Sequence, residues 1–320
     1  MFLLKALVLV QCVGWHFSGC VGAPCYDYIS KEARPCFPQP VNAATGRNVT
    51  ASNTCGTPSA SYCEISPEKK CLICNASSTV NMHPAEHMVD EESPLAPQPT
   101  WWQSDTWWDA IQSGISKIGE PLHVNITLTF GKSYHISGKV RVTFYSERPQ
   151  AMVIERSSDG GVTWNVFQYF AKDCDATYGM SPSESPSAEN PLEETCSEEY
   201  SVQFPAKNGI VEFQAFARYS PADYMAPDIQ SYLLASHVRL RLEYPGTDGL
   251  ELINSEVTLN RYYYAISDIR IDGRCNCNGH AEYCDGVGMN QYCFCEHNTM
   301  GQDCEYCRPL YNNQPWRPAN

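Results

Sequence analysis

Val124-Asn125-Ile126-Thr127-Leu128-Thr129-Phe130 alternates apolar and polar residues without a break. A period of two puts every apolar side chain on one face of an extended strand, a spacing that a helix cannot use. The same texture recurs outward from it, at Val140, Val142 and Phe144, at Met152 and Ile154, at Ile210 and Phe213, at Val238, Leu240 and Leu242, and at Ile266, Ile269 and Ile271. Gly, Pro, Asn and Asp punctuate the gaps, as they do between strands. Only Trp107 to Lys117 looks helical. From about Pro121 to Ile271 the chain therefore predicts a mostly β fold, an antiparallel sandwich of the jelly-roll type.

The flanks differ in composition. From Pro24 to about Thr100 the chain is rich in Cys, Pro, Asn and Ser, and Cys25, Cys36, Cys55, Cys63, Cys71 and Cys74 crowd a stretch with little periodicity. This predicts a loop-rich, disulfide-stapled region, whose connectivity the spacing leaves open. After Gly273, Cys275, Cys277, Cys284, Cys293, Cys295, Cys304 and Cys307 put seven cysteines into 33 residues, where covalent bonds must replace an apolar core. Thr177 to Thr195 is Ser, Pro and Glu rich and bracketed by Cys174 and Cys196. A bond between those two would pin an exposed loop and contribute on the order of 3 kcal/mol.

Met1 to Ala23 reads as a cleaved signal peptide: a short basic start at Lys5, an apolar stretch, and small residues before the cut. Cleavage leaves 17 − 2 = 15 cysteines, an odd count, and Cys307 is expected to pair beyond Asn320, in a longer protein. Asn48, Asn75 and Asn125 open glycosylation sequons that an exported chain would use. Lys plus Arg against Asp plus Glu gives 22 − 36 = −14, which opposes binding to nucleic acid. No apolar run reaches the roughly 20 residues of a transmembrane helix.

Enzyme-like strings read better as structure. Ser157-x-Asp159-x-Gly161-x-Thr163-Trp164 matches the Asp-box of sialidases, but it occurs once and its work is to fold a hairpin. His83-Pro84-Ala85-Glu86-His87 spells an inverted zincin motif, yet Pro84 disfavours the helix that would align the two imidazoles. Gly131-Lys132-Ser133 lacks the earlier glycine of a phosphate loop. In an exported chain Cys71-x-x-Cys74 and Cys304-x-x-Cys307 read as disulfide cysteines. No catalysis is expected.

Taken together, Asn53-Thr-Cys55-Gly-Thr-Pro58, Cys71-x-x-Cys74-Asn-Ala76, Trp101-Trp-Gln-Ser104, Arg148-Pro149, Tyr262-Tyr-Tyr-Ala-Ile-Ser-Asp268 and Gly273-Arg-Cys-Asn-Cys-Asn-Gly-His280 resemble the N-terminal domain of laminins and netrins. The resemblance covers nearly all of the mature chain. It implies a head over 24–274 and a laminin-type EGF-like module over 275–320 whose eighth cysteine is missing. It further implies the bonds Cys275 to Cys284, Cys277 to Cys293 and Cys295 to Cys304. Secreted netrins carry two additional cysteines where Trp101 and Tyr145 stand, whereas Val41-Asn-Ala-Ala44 is shared by laminin γ chains and netrins.

What the resemblance implies for function is adhesion and assembly in the extracellular matrix and basement membrane, through other laminin-type heads or cell-surface receptors. The alternative is a netrin-like guidance ligand. A structural Ca2+ would be held by Asp90, Thr100 and the backbones of His87 and Ser267, an all-oxygen set suited to that ion. The interaction patch of laminins is similar to Pro205-Ala206-Lys207-Asn208-Gly209, although the family's leucine and glutamate are Ala206 and Lys207 here.

Overall fold

The structure is a computed structural model that describes residues 24–65, 70–90, 99–183, 186–187, 190–202, 205, 207–215, 226–286 and 288–319. The expected signal peptide, Met1 to Ala23, and Ala206 of the expected patch lie outside the described residues. The head's strands are β1 (Val41–Asn42), β2 (Asn48–Ala51), β3 (Ala60–Cys63), β4 (Cys71–Cys74), β5 (Trp102–Gln103), β6 (Val124–Phe144), β7 (Ala151–Ser157), β8 (Asn165–Ala171), β9 (Cys196–Ser197), β10 (Gly209–Gln214), β11 (Leu234–Tyr244) and β12 (Ala265–Cys275).

The alternating stretch at Val124 opens β6, a strand of 21 residues that serves both layers of an antiparallel sandwich. Its first part pairs with β2 on one side and β11 on the other, and that layer continues through β7 and β8 to β9. Its last part pairs with β12 and β10, with β1 and β5 adding to β12. A strand that changes layers forms a corner of a sandwich. The side chains of Ile126, Leu128, Phe130, Val140, Val142 and Phe144 are buried throughout, and they meet Phe167, Phe170, Leu240 and Ile269 in one core. Separately, β3 and β4 form a hairpin.

The helix expected at Trp107 to Lys117 forms only as α1 (Trp107–Gln112), capped by the Thr106 hydroxyl, and the chain leaves it through Gly114 at φ +76. Three further helices occur among the described residues: α2 (Cys174–Tyr178), α3 (Pro227–Leu233) and α4 (Glu256–Leu259). Each runs two turns or fewer, too short for a 3.6-residue period to show in sequence. Asp173 and Ser255 cap α2 and α4 through side-chain oxygens.

Every expected disulfide forms: Cys174 to Cys196, Cys275 to Cys284, Cys277 to Cys293 and Cys295 to Cys304. The open connectivity of the N-terminal six resolves as Cys25 to Cys36, Cys55 to Cys74 and Cys63 to Cys71. Cys307 is free. The single Asp-box is a hairpin between β7 and β8, where the Asp159 carboxylate accepts the amides of Val162 and Thr163 at 3.1 and 3.0 Å. Those bonds and the Ser157 and Thr163 hydroxyls hold its carboxyl far below the usual range.

Two buried cations fix the EGF-like module to the head. Arg47 donates to the carbonyls of Ala43 and Phe130 at 2.9 Å within the head and to Gly288 and Gln291 of the module. Lys132 is fully buried and its Nζ lies 2.7 Å from Asp303. Burial pulls its ammonium below the ordinary range while Asp303 and Glu305 oppose that shift. Gly131, at φ +78, lets the module approach, since a Cβ there would lie 2.9 Å from the Met289 carbonyl oxygen.

Candidate functional site: the calcium loop and the interaction loop

His83 and His87 do not form a zinc pair. His87 lies within a single 3-10 turn, Ala85–Met88, with His83 before it, and the buried His83 ring stacks on Trp101 with centroids 4.2 Å apart. Burial, and secondarily the charge of His87, lowers His83 to about 4, so it is neutral at physiological pH. The His87 ring points elsewhere, its Nδ1 3.2 Å from the Trp101 carbonyl oxygen.

Of the expected calcium ligands, Asp90 and Thr100 touch: the Thr100 hydroxyl donates to Asp90 Oδ2 at 2.8 Å. Ser267 sits on β12 at a bulge, where the register with β6 slips between Ile266 and Asp268. A bulge takes one residue out of one-to-one pairing and re-aims it. The Ser267 hydroxyl donates to the Thr143 carbonyl at 3.2 Å. Next to it stands a residue that sequence reasoning missed. Burial raises the Asp268 carboxyl, Asp90 raises it further, and Arg270 and Arg141 pull the other way. The Asp90 carboxylate and the Thr100 hydroxyl in contact with it are hard-oxygen donors of the kind that suit Ca2+. Asp268 was legible only as the acid following Ser267 in the sequence.

A run of rings leads from this loop to the expected patch. Trp101 follows Thr100, and its indole stacks flat on Tyr145 at 3.9 Å and 4°. These are the two positions where secreted netrins have extra cysteines, so an aromatic stack joins the segments here. Lys207 Nζ then lies 5.0 Å over the Tyr145 ring and 2.7 Å from Glu64 Oε1. Pro205 and Asn208 are exposed, Asn208 at φ +56, whereas Gly209 is buried as β10 begins against the Arg148 side chain. Trp101 and Tyr145 thus link Thr100 to Lys207 of the expected patch through ring contacts. Among the glycosylation candidates, Asn48 and Asn125 are exposed on the adjacent β2 and β6, and Asn75 is half-buried in a turn closed by the Ser77 amide at 2.9 Å.

Residues 36–273 match the laminin N-terminal domain, domain VI, and residues 275–320 the laminin/attractin EGF domain. The chain belongs to the laminin N-terminal domain family. Laminin subunit gamma-1 of Danio rerio is 37% identical over 308 residues, covering 92% of this chain and 18% of that protein. The laminin-like protein lam-2 of Caenorhabditis elegans is 36% identical over 94% of this chain and 19% of its own length. Netrin-G1 of Mus musculus is 35% identical over 83% of this chain and 50% of its own. The chain therefore spans about a fifth of these laminins and half of netrin-G1. Chitosan-binding module 1 of a Paenibacillus sp. IK-5 enzyme is similar at a TM-score of 0.35 and 12% identity, over 72% of this chain and 98% of that one, too shallow a likeness for an argument. Membership in this family makes the chain a secreted, non-enzymatic component of the extracellular matrix. No helix among the described residues is long and apolar enough to cross a membrane.

Proposed function

We propose that the chain is a matrix-assembly head, which binds Ca2+ through Asp90, Thr100 and the His87 and Ser267 backbones, assisted by Asp268. Around that ion it presents Pro205, Lys207, Asn208 and Gly209 to another laminin-type head or to a cell-surface receptor. The observation that carries this reading is the contact of the Thr100 hydroxyl with Asp90 Oδ2 at 2.8 Å, which brings two of the expected hard-oxygen ligands together. Ca2+ would hold Asp90 and Thr100 together, and the contacts of Trp101, Tyr145 and Lys207 lead from Thr100 to the patch. The stack of Trp101 on Tyr145 favours a laminin-type head over a netrin-like guidance ligand.

Lys207 gives the patch its own character. Where the family has an acid, this chain has a base that is already paired with Glu64. A partner must therefore either accept the pair intact or compete for Lys207 with a carboxylate. Binding assays of the purified head against heads of other laminin chains, with Ca2+ and with chelator, test the reading. Association that requires Ca2+ and fails in Asp90→Asn supports it, and association indifferent to both overturns it.

A further inference from the structure

His280 and His297 meet at a junction of three chain segments. The Nδ1 atoms of the two rings are 3.0 Å apart. The other nitrogen of His280, Nε2, is 3.0 Å from the Arg317 carbonyl oxygen, and that of His297 is 2.9 Å from the Cys25 carbonyl oxygen. A carbonyl oxygen only accepts, so each Nε2 must carry its proton. Were both rings neutral, their Nδ1 lone pairs would face each other at hydrogen-bonding distance with nothing between them. The donor count closes only with one more proton on the bridge.

We propose that His280 and His297 share a bridging proton and thereby form a clasp, tuned by pH, that fastens the N-terminal strap and the C-terminal tail to the EGF-like module. Burial disfavours the charged form of His280, and the shared proton lies between the two Nδ1 atoms. The strap is the Cys25 to Cys36 loop, which also bonds the module through the Cys36 amide to the Gly279 carbonyl at 3.0 Å. The tail returns through the Ala319 amide to the Asn278 carbonyl at 2.9 Å.

Charged and titratable neighbours face the pair from each side. On the strap, Tyr26 sets its ring edge against His297, and Arg34 pairs with Asp27 at 3.6 Å. On the module, Glu282 accepts the Cys25 amide at 2.7 Å, and the Glu296 amide bonds the His280 carbonyl. On the tail, Arg317 joins Arg34 in lining a cleft of about 370 Å³ beside both rings. The Asp27 and Glu282 carboxylates are thus engaged, and the bridging charge rests on the two carbonyls.

The sign follows from the proton count. Loss of the bridging proton as pH rises leaves two opposed lone pairs, and gain of a second as pH falls sets two N–H groups against each other. The clasp is therefore tightest over an intermediate window of pH and loosens on both sides. Hydrogen exchange of residues 24–36 in the whole chain, corrected for intrinsic rates, tests this between about pH 5 and 8.5. Maximal protection in the middle of that range is expected, falling by about tenfold at the ends, the effect of one charge-assisted hydrogen bond. His297→Gln should give low protection that does not vary with pH. Nitrogen chemical shifts of the wild-type imidazoles supply a second readout, in which one of the two Nδ1 atoms is protonated at neutral pH. Protection independent of pH, two unprotonated Nδ1 atoms, or a maximum that chelator abolishes would each overturn the proposal, the last by showing a metal ion on the bridge.

Discussion

Asp268 bears on the calcium reading. Its carboxyl is raised by burial and, secondarily, by the charge of Asp90, a cost that the proposed cation would relieve. Calcium should therefore raise the thermal midpoint of the wild-type head, and the increment should shrink by more than half in Asp268→Asn, read by calorimetry with and without chelator. His83 makes the opposite kind of prediction. Its folded value of about 4 lies below the ordinary value near 6.5, so between those pH values the unfolded chain binds more protons. Stability should be fully present above about pH 6.5 and decline as pH falls toward 4. His135, lowered to about 4 by burial and then by Arg274, adds to the same slope. Urea titrations at several pH values should show a loss on the order of 1–3 kcal/mol per histidine, and His83→Gln should flatten part of it. The stack itself is testable by a double-mutant cycle on Trp101 and Tyr145, for which a coupling of about 0.5–1.5 kcal/mol is expected. None of these pairings was visible in sequence. His83, Trp101 and Tyr145 are far apart in the chain, and no periodicity records which rings will meet.

At the scale of elements, the alternation beginning at Val124 was the most legible feature of the chain, because a half-buried strand leaves its period in the residues themselves. What it could not tell was that one strand would run on through Gly131 and Gly138 to Phe144 and serve both layers. That depends on the long-range partners β2, β11, β12 and β10. The short helices α2 to α4 left no period to find, and α1 ended early at Gly114. The fixation of module to head was equally hidden, since Lys132 read only as a failed phosphate loop. Asp303→Ala would leave the Lys132 ammonium buried without its carboxylate and should cost about 3 kcal/mol or more in urea unfolding. The joint replacement Lys132→Met with Asp303→Ala should recover much of that loss, because an apolar pair needs no solvation. Equal destabilisation by the single and double changes would mean that the ion pair does not hold the junction.

Across the whole molecule, cysteine spacing, the signal-like start and the family resemblance together made the class of protein legible, while the working surface had to be assembled from parts. Asp90 and Thr100 came from positions ten residues apart, Ser267 and Asp268 from the last strand of the head, and Lys207 from a segment between them in sequence. The stacked rings of Trp101 and Tyr145 connect Thr100 to Lys207. If the patch at Lys207 is the docking surface, Lys207→Glu, which restores the family's acid and breaks the bond to Glu64, should change affinity for another head without changing calcium binding. Sedimentation velocity of the head with EGF-like module, mixed with heads of other laminin chains in calcium and again in chelator, tests the central claim most directly. The account predicts a heavier complex in calcium that dissociates on chelation and is absent with Asp90→Asn. A mixture that sediments as separate monomers in both buffers, or a complex that survives chelation unchanged, would contradict it.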